Sequence, residues 1–193
     1  AGEPVVQRRS PRAVFAGIAV DLPPGAFLQP TEAGEVALRD IIAAALDPAE
    51  AVADLFAGCG AFSVPLALAG KQVRAFDADG GQCDALSRAS RDHRLGARLT
   101  AETRDLERRP LAGSELAALD GIALDPPRAG AAAQICEIAA SAVPVVAYAS
   151  CNPSTFARDA RTMVDGGYRL ETVTPIDQFL WSAEVELAGV FRR

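Results

Sequence analysis

Residues 51–77 decide the fold, and they read AVADLFAGCG AFSVPLALAG KQVRAFD. The apolar run at 51–56 predicts a buried strand, and the glycine-rich turn after it leads into a helix that ends at Gly70. A second strand, QVRAFD, follows at 72–77. Two strands joined through a helix form the repeating unit of a doubly wound α/β fold with a parallel sheet.

The same alternation continues on both sides of this stretch. Thr31 is placed to cap a helix that Pro48 ends. The last two strands, at 168–176 and 184–191, have no helix between them, which predicts an antiparallel strand at one edge of the sheet. Between these ends we predict strands near 97–100 and at 121–125 and 144–150, and helices at 81–93, 131–142 and 153–164. The fold class is therefore α/β, with a doubly wound, mostly parallel, seven-stranded Rossmann-like sheet.

The N-terminal residues differ in character from the rest. Residues 1–12 are polar and hold two prolines, and a short β-like run at 13–20 is closed by the turn LPPG at 22–25. We therefore divide the chain into a lead-in with a short strand (1–23) and one larger domain (24–193). The chain starts without Met, so we expect the lead-in to be the end of a region that lies upstream.

Composition excludes several classes of protein. Nineteen basic against 25 acidic residues give a net charge of −6, which argues against a large nucleic-acid surface. No apolar run reaches the ~20 residues of a membrane span, and no signal peptide is visible. We therefore expect a cytoplasmic protein that does not bind a membrane. One histidine and four widely spaced cysteines predict no metal site and no disulfide framework. We interpret Cys83 and Cys136 as packed on helix faces.

The motif DLFAGCG at 54–60 predicts a nucleoside site. Gly58 and Gly60 allow a ligand to approach the backbone, and Asp77, 19 residues after Gly58, is placed to bind ribose hydroxyls. The third glycine of a dinucleotide-binding loop is missing. This favours S-adenosylmethionine, which has no phosphates, over a dinucleotide or an inert turn.

Two further motifs follow strands and therefore reach the same edge of the sheet. LDPPRAG at 124–130 places Asp125 at a strand end, and its two prolines form a rigid rim from which Arg128 could bind a phosphate. A plain strand-ending turn is the alternative. YASCNPSTFARD at 148–159 places Cys151 before a helix, whose positive end favours a thiolate. A buried structural cysteine is the alternative there.

Together these motifs, in this order and spacing, resemble those of the RNA uracil-5-methyltransferases that use S-adenosyl-L-methionine. PPGAFLQP at 23–30 resembles the upstream cofactor segment of that family, and DQFLWSAEVELAGVF at 177–191 resembles its C-terminal catalytic segment. The resemblance covers residues 24–193. It implies that an N-terminal β-barrel RNA-binding domain, and any iron–sulfur cluster, lie outside this chain.

The resemblance also implies roles for individual residues. Cys151 matches the nucleophile, and Glu186 matches the glutamate that removes a proton late in the reaction. The implied cofactor contacts are Gln29, Phe56, Asp77, Asp105 and Asp125, and the motif at 54–60 adds Gly58 and Gly60. The implied substrate contacts are Arg128, Asn152 and Phe179. The chain departs from the family pattern at three positions, where Ala61, Leu180 and Glu184 replace Asn, Pro and His.

The predicted function is methyl transfer to C5 of a uridine in tRNA or rRNA, by a monomer, through a covalent adduct of Cys151 with C6. Two alternatives stay open. The first is an RNA cytosine-5-methyltransferase, although that class carries Pro-Cys where this chain has Asp-Pro-Pro-Arg. The second is a cofactor-binding module that no longer catalyses, which the departures at Ala61 and Glu184 suggest.

Overall fold

The computed structural model describes residues 9–193, so the first part of the predicted lead-in, residues 1–8, lies outside the described part. The strands in this part are β1 (Arg12–Phe15), β2 (Ile18–Asp21), β3 (Ala51–Leu55), β4 (Gln72–Asp77), β5 (Leu99–Thr103), β6 (Gly121–Leu124), β7 (Val145–Ser150), β8 (Arg169–Ile176) and β9 (Glu186–Arg192). The helices are α1 (Glu32–Ala45), α2 (Ser63–Leu68), α3 (Gly80–Asp92), α4 (Ser114–Ala117), α5 (Ala132–Ala140) and α6 (Pro153–Asp165).

Seven of the strands form one sheet in the order β5-β4-β3-β6-β7-β9-β8. The first five run parallel, while β9 pairs antiparallel with β7 and with the edge strand β8. The predicted Rossmann-like sheet and the antiparallel pairing at one edge are confirmed. In this order the strand direction brings the ends of β3, β4, β5, β6 and β7 to one edge, where open α/β sheets bind ligands.

Helices cover both faces of this sheet. Side chains of α1, α2 and α3, among them Leu38, Leu66 and Leu86, pack in one apolar cluster. Side chains of α5 and α6, among them Ile135 and Met163, pack in a second cluster on the other face. The central strands are buried on both sides, and every residue of β7 is buried, as expected for a sheet between two helical layers.

Local details differ from the sequence prediction in three places. The run at 13–20 is not one strand but the hairpin β1–β2, because Ala16 (φ 48°) and Gly17 (φ 86°) form a two-residue turn. Strand β5 lies at 99–103, later than predicted, and the short helix α4 was not predicted. Phe15 and Val20 are buried in the same cluster as α1–α3, so the hairpin packs on the larger domain.

Within the described residues, no helix has the length and apolar character needed to cross a membrane.

Candidate active site

A cleft of about 570 Å³ lies at the carboxyl ends of the parallel strands. It joins residues that are far apart in the chain, from the β1–β2 hairpin to the first residue of β9. The lining residues are Phe15, Phe27, Leu28, Gln29, Glu35, Phe56, Ala57, Gly58, Cys59, Ala61, Asp77, Ala78, Gln82, Asp105, Leu106, Glu107, Asp125, Pro126, Pro127, Arg128, Cys151 and Glu186.

The loop after β3 forms the floor of the cleft and is held by Asp77. One carboxylate oxygen of Asp77 accepts a hydrogen bond from Gly58 N at 2.9 Å, and the other accepts one from Asp79 N at 2.8 Å. Gly58 has φ 55°, a conformation that suits glycine. Phe56 has φ 61°, which is unusual for a bulky residue and is the kind of backbone strain that clusters at functional sites.

Gly60 does not line the cleft, although the motif at 54–60 predicted a cofactor contact there. A Cβ atom on Gly60 would lie 2.5 Å from Leu86 Cδ1, and its φ is 97°. The glycine therefore allows the loop to pack closely on α3. Its neighbour Cys59 lines the cleft and donates to Gln82 Oε1 at 3.6 Å. Burial, with the negative charges of Asp77 and Asp79, raises the pKa of Cys59 to about 11.

Asp105 and Asp125 follow β5 and β6 and lie in the cleft as predicted. Asp105 Oδ1 accepts from the amide of Glu107 at 3.1 Å, which shapes the exposed loop after β5. Asp125 Oδ2 accepts from Gln29 Nε2 at 3.1 Å. Burial raises the pKa of Asp125 well above its ordinary range, and the nearby carboxyl groups of Glu186 and Asp54 raise it further.

Cys151 lies between β7 and α6 and reaches the same cleft as Asp125. The prediction that the helix end favours a thiolate here is wrong for the electrostatics of this structure. Partial burial raises the pKa of Cys151, the carboxyl group of Glu186 raises it further, and Arg128 only partly opposes them. These surroundings therefore favour the neutral thiol of Cys151 over the thiolate.

Two predicted substrate contacts do not line the cleft. Asn152 caps α6: its Oδ1 accepts from Ser154 N at 3.0 Å and its Nδ2 donates to Arg128 O at 3.0 Å. The side chain of Asn152 is thus used to fix the turn between Cys151 and the rim. Phe179, in the segment between β8 and β9, is partly buried outside the cleft lining. Arg128 does line the cleft, and its guanidinium donates to Glu184 Oε2 at 2.9 Å.

Glu186 begins β9 and is buried, with 2% of its surface exposed. Burial raises the pKa of Glu186, and a hydrogen bond from Gln178 Nε2 at 3.1 Å lowers it. Sequence reasoning did not single out Gln178, or Glu35 of α1, which also lines the cleft. Gln178 and Glu35 come from distant segments of the chain, and no local spacing marks either residue.

The interpretation of Cys136 as a packed residue is wrong, because the structure places it exposed on α5. Cys83 is buried on α3, as predicted, and its thiol faces the backbone oxygens of Asp77 and Glu102. These two cysteines lie away from the cleft lining. The thiols that line the cleft are those of Cys59 and Cys151.

Comparison with known proteins identifies the family of the chain. The family described as tRNA (uracil-5-)-methyltransferase matches residues 18–193, which is most of the chain. The chain belongs to this family. A solved structure shares its fold: a Pyrococcus abyssi tRNA (uracil-54, C5)-methyltransferase, in complex with S-adenosyl-L-homocysteine, superposes with a TM-score of 0.81 over 94% of this chain and 44% of that one, at 24% identity.

Curated relatives within this family are longer than the chain. An uncharacterized RNA methyltransferase of Mesorhizobium japonicum is 52% identical over 97% of the chain, which spans 45% of that protein. The 23S rRNA (uracil(1939)-C(5))-methyltransferase RlmD of Vibrio parahaemolyticus is 31% identical over 92% of the chain, which spans 41% of it. The chain therefore spans less than half the length of these family members.

Proposed function

We propose that this chain is the catalytic part of an RNA methyltransferase that transfers a methyl group from S-adenosylmethionine to C5 of a uridine. The observation that carries the proposal is that Cys151, from the turn after β7, and Glu186, from the start of β9, line one cleft. A thiol and a buried carboxyl group in one cleft supply the nucleophile and the base that this reaction needs. The names of the RNA methyltransferase relatives support RNA as the substrate.

The charge of the cleft suits S-adenosylmethionine as the cofactor. Besides apolar side chains, the lining carries the carboxyl groups of Glu35, Asp77, Asp105, Glu107, Asp125 and Glu186, against one arginine, Arg128. So many carboxyl groups disfavour a pyrophosphate and favour a ligand with a sulfonium and an ammonium group. We assign the ribose and base end of the cofactor to Asp77 and Asp105, and its amino-acid end to Gln29 and Asp125.

The protein residues divide the remaining chemistry between them. When bound, the cofactor supplies an electrophilic methyl group. Cys151, as the thiolate, forms a bond from Sγ to C6 of the uracil, and the electron pair of the C5–C6 double bond moves onto C5 and O4. C5 is then electron-rich enough to accept the methyl group. Glu186 takes the C5 proton, the double bond re-forms, and the Sγ–C6 bond breaks to release the thiolate.

The target uridine must leave its stack to reach this cleft. Flipping a base costs a few kcal/mol, which contacts to the neighbouring nucleotides have to offset. Arg128, 63% exposed at the rim, is the cation placed to bind a flanking phosphate. Since the chain spans less than half of its relatives, we assign the choice of tRNA or rRNA to the remainder of the full-length protein.

Nucleoside mass spectrometry of RNA tests the proposal. Cells that lack the gene should lose 5-methyluridine at one site, and the full-length protein should restore it. The variant Glu186→Gln should instead accumulate a covalent protein–RNA adduct on a denaturing gel, and Cys151→Ala should form none. Loss of 5-methylcytidine in place of 5-methyluridine would establish the cytosine alternative, and unchanged RNA with no cofactor binding would overturn the proposal.

A further inference from the structure

Gln178 connects two carboxyl groups in the wall of the cleft. It lies between β8 and β9 and is 4% exposed. Its Nε2 atom donates to Gln29 Oε1 at 2.8 Å and to Glu186 Oε2 at 3.1 Å. Gln29 then donates through its own Nε2 to Asp125 Oδ2 at 3.1 Å. Two amides therefore join the carboxyl group at the end of β6 to the one at the start of β9.

We propose that Gln178 is a positioning residue for Glu186: its amide fixes the orientation of that carboxylate and holds it in the form that accepts a proton. This inference rests on the proposed function, in which Glu186 removes the C5 proton. Gln178 need not touch the RNA. It acts through Glu186. Its second hydrogen bond, to Gln29, connects Glu186 to Asp125.

The surroundings of Gln178 leave its amide one orientation. Rotating the amide by half a turn would point its oxygen at two acceptors, Gln29 Oε1 and Glu186 Oε2, which is repulsive. In the observed orientation Oε1 is buried with no hydrogen-bond partner among residues 9–193. A buried acceptor without a partner is destabilising, and such groups call for a functional explanation. The two donated hydrogen bonds provide one.

Gly34 makes room for this arrangement. A Cβ atom at position 34 would lie 2.1 Å from Gln178 Oε1. Glycine weakens the first turn of a helix, although Thr31 caps it by accepting from Gly34 N at 3.0 Å. The sequence thus places a helix-weakening residue where any side chain would displace the amide of Gln178.

The charges near Glu186 show why the hydrogen bond matters. The titratable and charged groups that line the cleft with Glu186 or lie in its segment are Glu35, Cys59, Asp77, Asp105, Glu107, Asp125, Arg128, Cys151, Asp177 and Glu184. Arg128, the cation of this set, is paired with Glu184. Burial raises the pKa of Glu186 and the bond from Gln178 lowers it. Loss of that bond would raise the pKa of Glu186 further, so the carboxylate that accepts the C5 proton would form only at higher pH.

The rate at which the preformed Cys151–RNA adduct breaks down in the full-length protein tests this inference. Proton removal by Glu186 comes after Cys151 has ionised and attacked, so this rate does not report the pKa of Cys151. The variant Gln178→Met keeps the volume and removes the donor. We expect adduct breakdown about tenfold slower than wild type near pH ~6, as for the loss of a hydrogen bond to a charged group, with the two rates converging as pH rises. Gly34→Ala should shift the pH profile in the same direction.

Leu180→Ala is the matched control, because Leu180 lies in the same segment and is 70% exposed; it should keep the wild-type profile. A wild-type profile for Gln178→Met, or slowing by one factor at every pH, would overturn the inference and leave Gln178 a structural residue. Absence of any adduct in wild type and Glu186→Gln would instead overturn the proposed function. Thermal unfolding of each variant checks that it is folded.

Discussion

Arg128 and Glu184 form an ion pair of 2.9 Å across the rim of the cleft, joining the loop after β6 to the segment before β9. Both residues are exposed, so the pair is screened by solvent and adds little stability. Its consequence lies in binding, because Glu184 occupies the guanidinium that we assign to an RNA phosphate. The substrate must displace a carboxylate that stands where the family pattern has histidine.

Replacing Glu184 with Gln should therefore tighten RNA binding. The change removes a negative charge from the rim and frees Arg128, so we expect RNA affinity to rise several-fold at low salt, with the gain shrinking as salt is added. Cofactor affinity should not change. Filter binding at several salt concentrations measures the effect in the full-length protein.

Glu171→Gln is the control for that measurement, since Glu171 is another paired glutamate, bound to Arg169 and Arg192 on the outer strands. It should leave RNA affinity at the wild-type value. Equal gains for both variants would show that net charge alone matters, and would remove the specific role of Arg128.

Asp77 should control cofactor affinity by two routes. Its carboxylate is predicted to bind the ribose, and it also accepts hydrogen bonds from Gly58 N and Asp79 N, which shape the floor of the cleft. We expect Asp77→Ala to weaken S-adenosylmethionine binding by tenfold or more, as for the loss of hydrogen bonds to a charged group. Isothermal titration calorimetry measures this, with the exposed Asp84→Ala on α3 as the control.

Asp54 should make the stability of the chain depend on pH. It is fully buried, its Oδ2 accepts from Ser63 Oγ at 2.5 Å, and burial raises its pKa from 3.8 to about 7. The folded state thus binds a proton that the unfolded state releases, and stability contributed by Asp54 falls as pH rises from about 4 to about 7. Above about pH 7 the stability lost through Asp54 no longer changes with pH.

Asp54→Asn removes this titration while keeping the shape. Relative to wild type, the variant should gain roughly 1–3 kcal/mol in free energy of unfolding between pH ~5 and pH ~8. Urea unfolding at both pH values measures the difference. A difference between variant and wild type that does not change with pH would show that Asp54 ionises normally in the folded protein.

Sequence reasoning reached the parts of the site that follow from strand direction. Asp125 and Cys151 each directly follow a parallel strand, so the topology alone brings them to one edge. Gln178 could not be found this way, because it reaches Gln29, 149 positions earlier in the chain, through an irregular segment. The hairpin was missed because Ala16–Gly17 lacks the Asn-Gly or Asp-Gly signal of its turn type.

The prediction that Cys151 favours the thiolate failed for a related reason. Its own motif displays only the helix end, which favours a thiolate, whereas the opposing carboxyl group of Glu186 lies 35 positions later and arrives on β9. A local pattern can report the backbone around a residue, but the burial and the charges that decide its ionisation come from the assembled cleft.

The order of thiol alkylation tests this electrostatic account. Cys136 is exposed on α5, Cys151 is partly exposed with a raised pKa, and Cys59 and Cys83 are buried with raised pKa values. Since only the thiolate reacts, iodoacetamide should modify Cys136 first near pH ~7, Cys151 next and the buried pair last.

Glu186→Gln should then change one rate in this series. The substitution removes the carboxyl group that raises the pKa of Cys151, so Cys151 should be alkylated several-fold faster near pH ~7, and the gain should disappear well above its pKa, where the thiol is ionised in both proteins. Cys136 in the same molecule is the internal control and should react at an unchanged rate. Peptide mass spectrometry over a time course gives all four rates at once. A slower or unchanged alkylation rate of Cys151 in this variant would mean that Glu186 does not hold the nucleophile protonated in the free protein. Burial alone would then suppress the thiolate, and the role of Glu186 would be limited to the C5 proton.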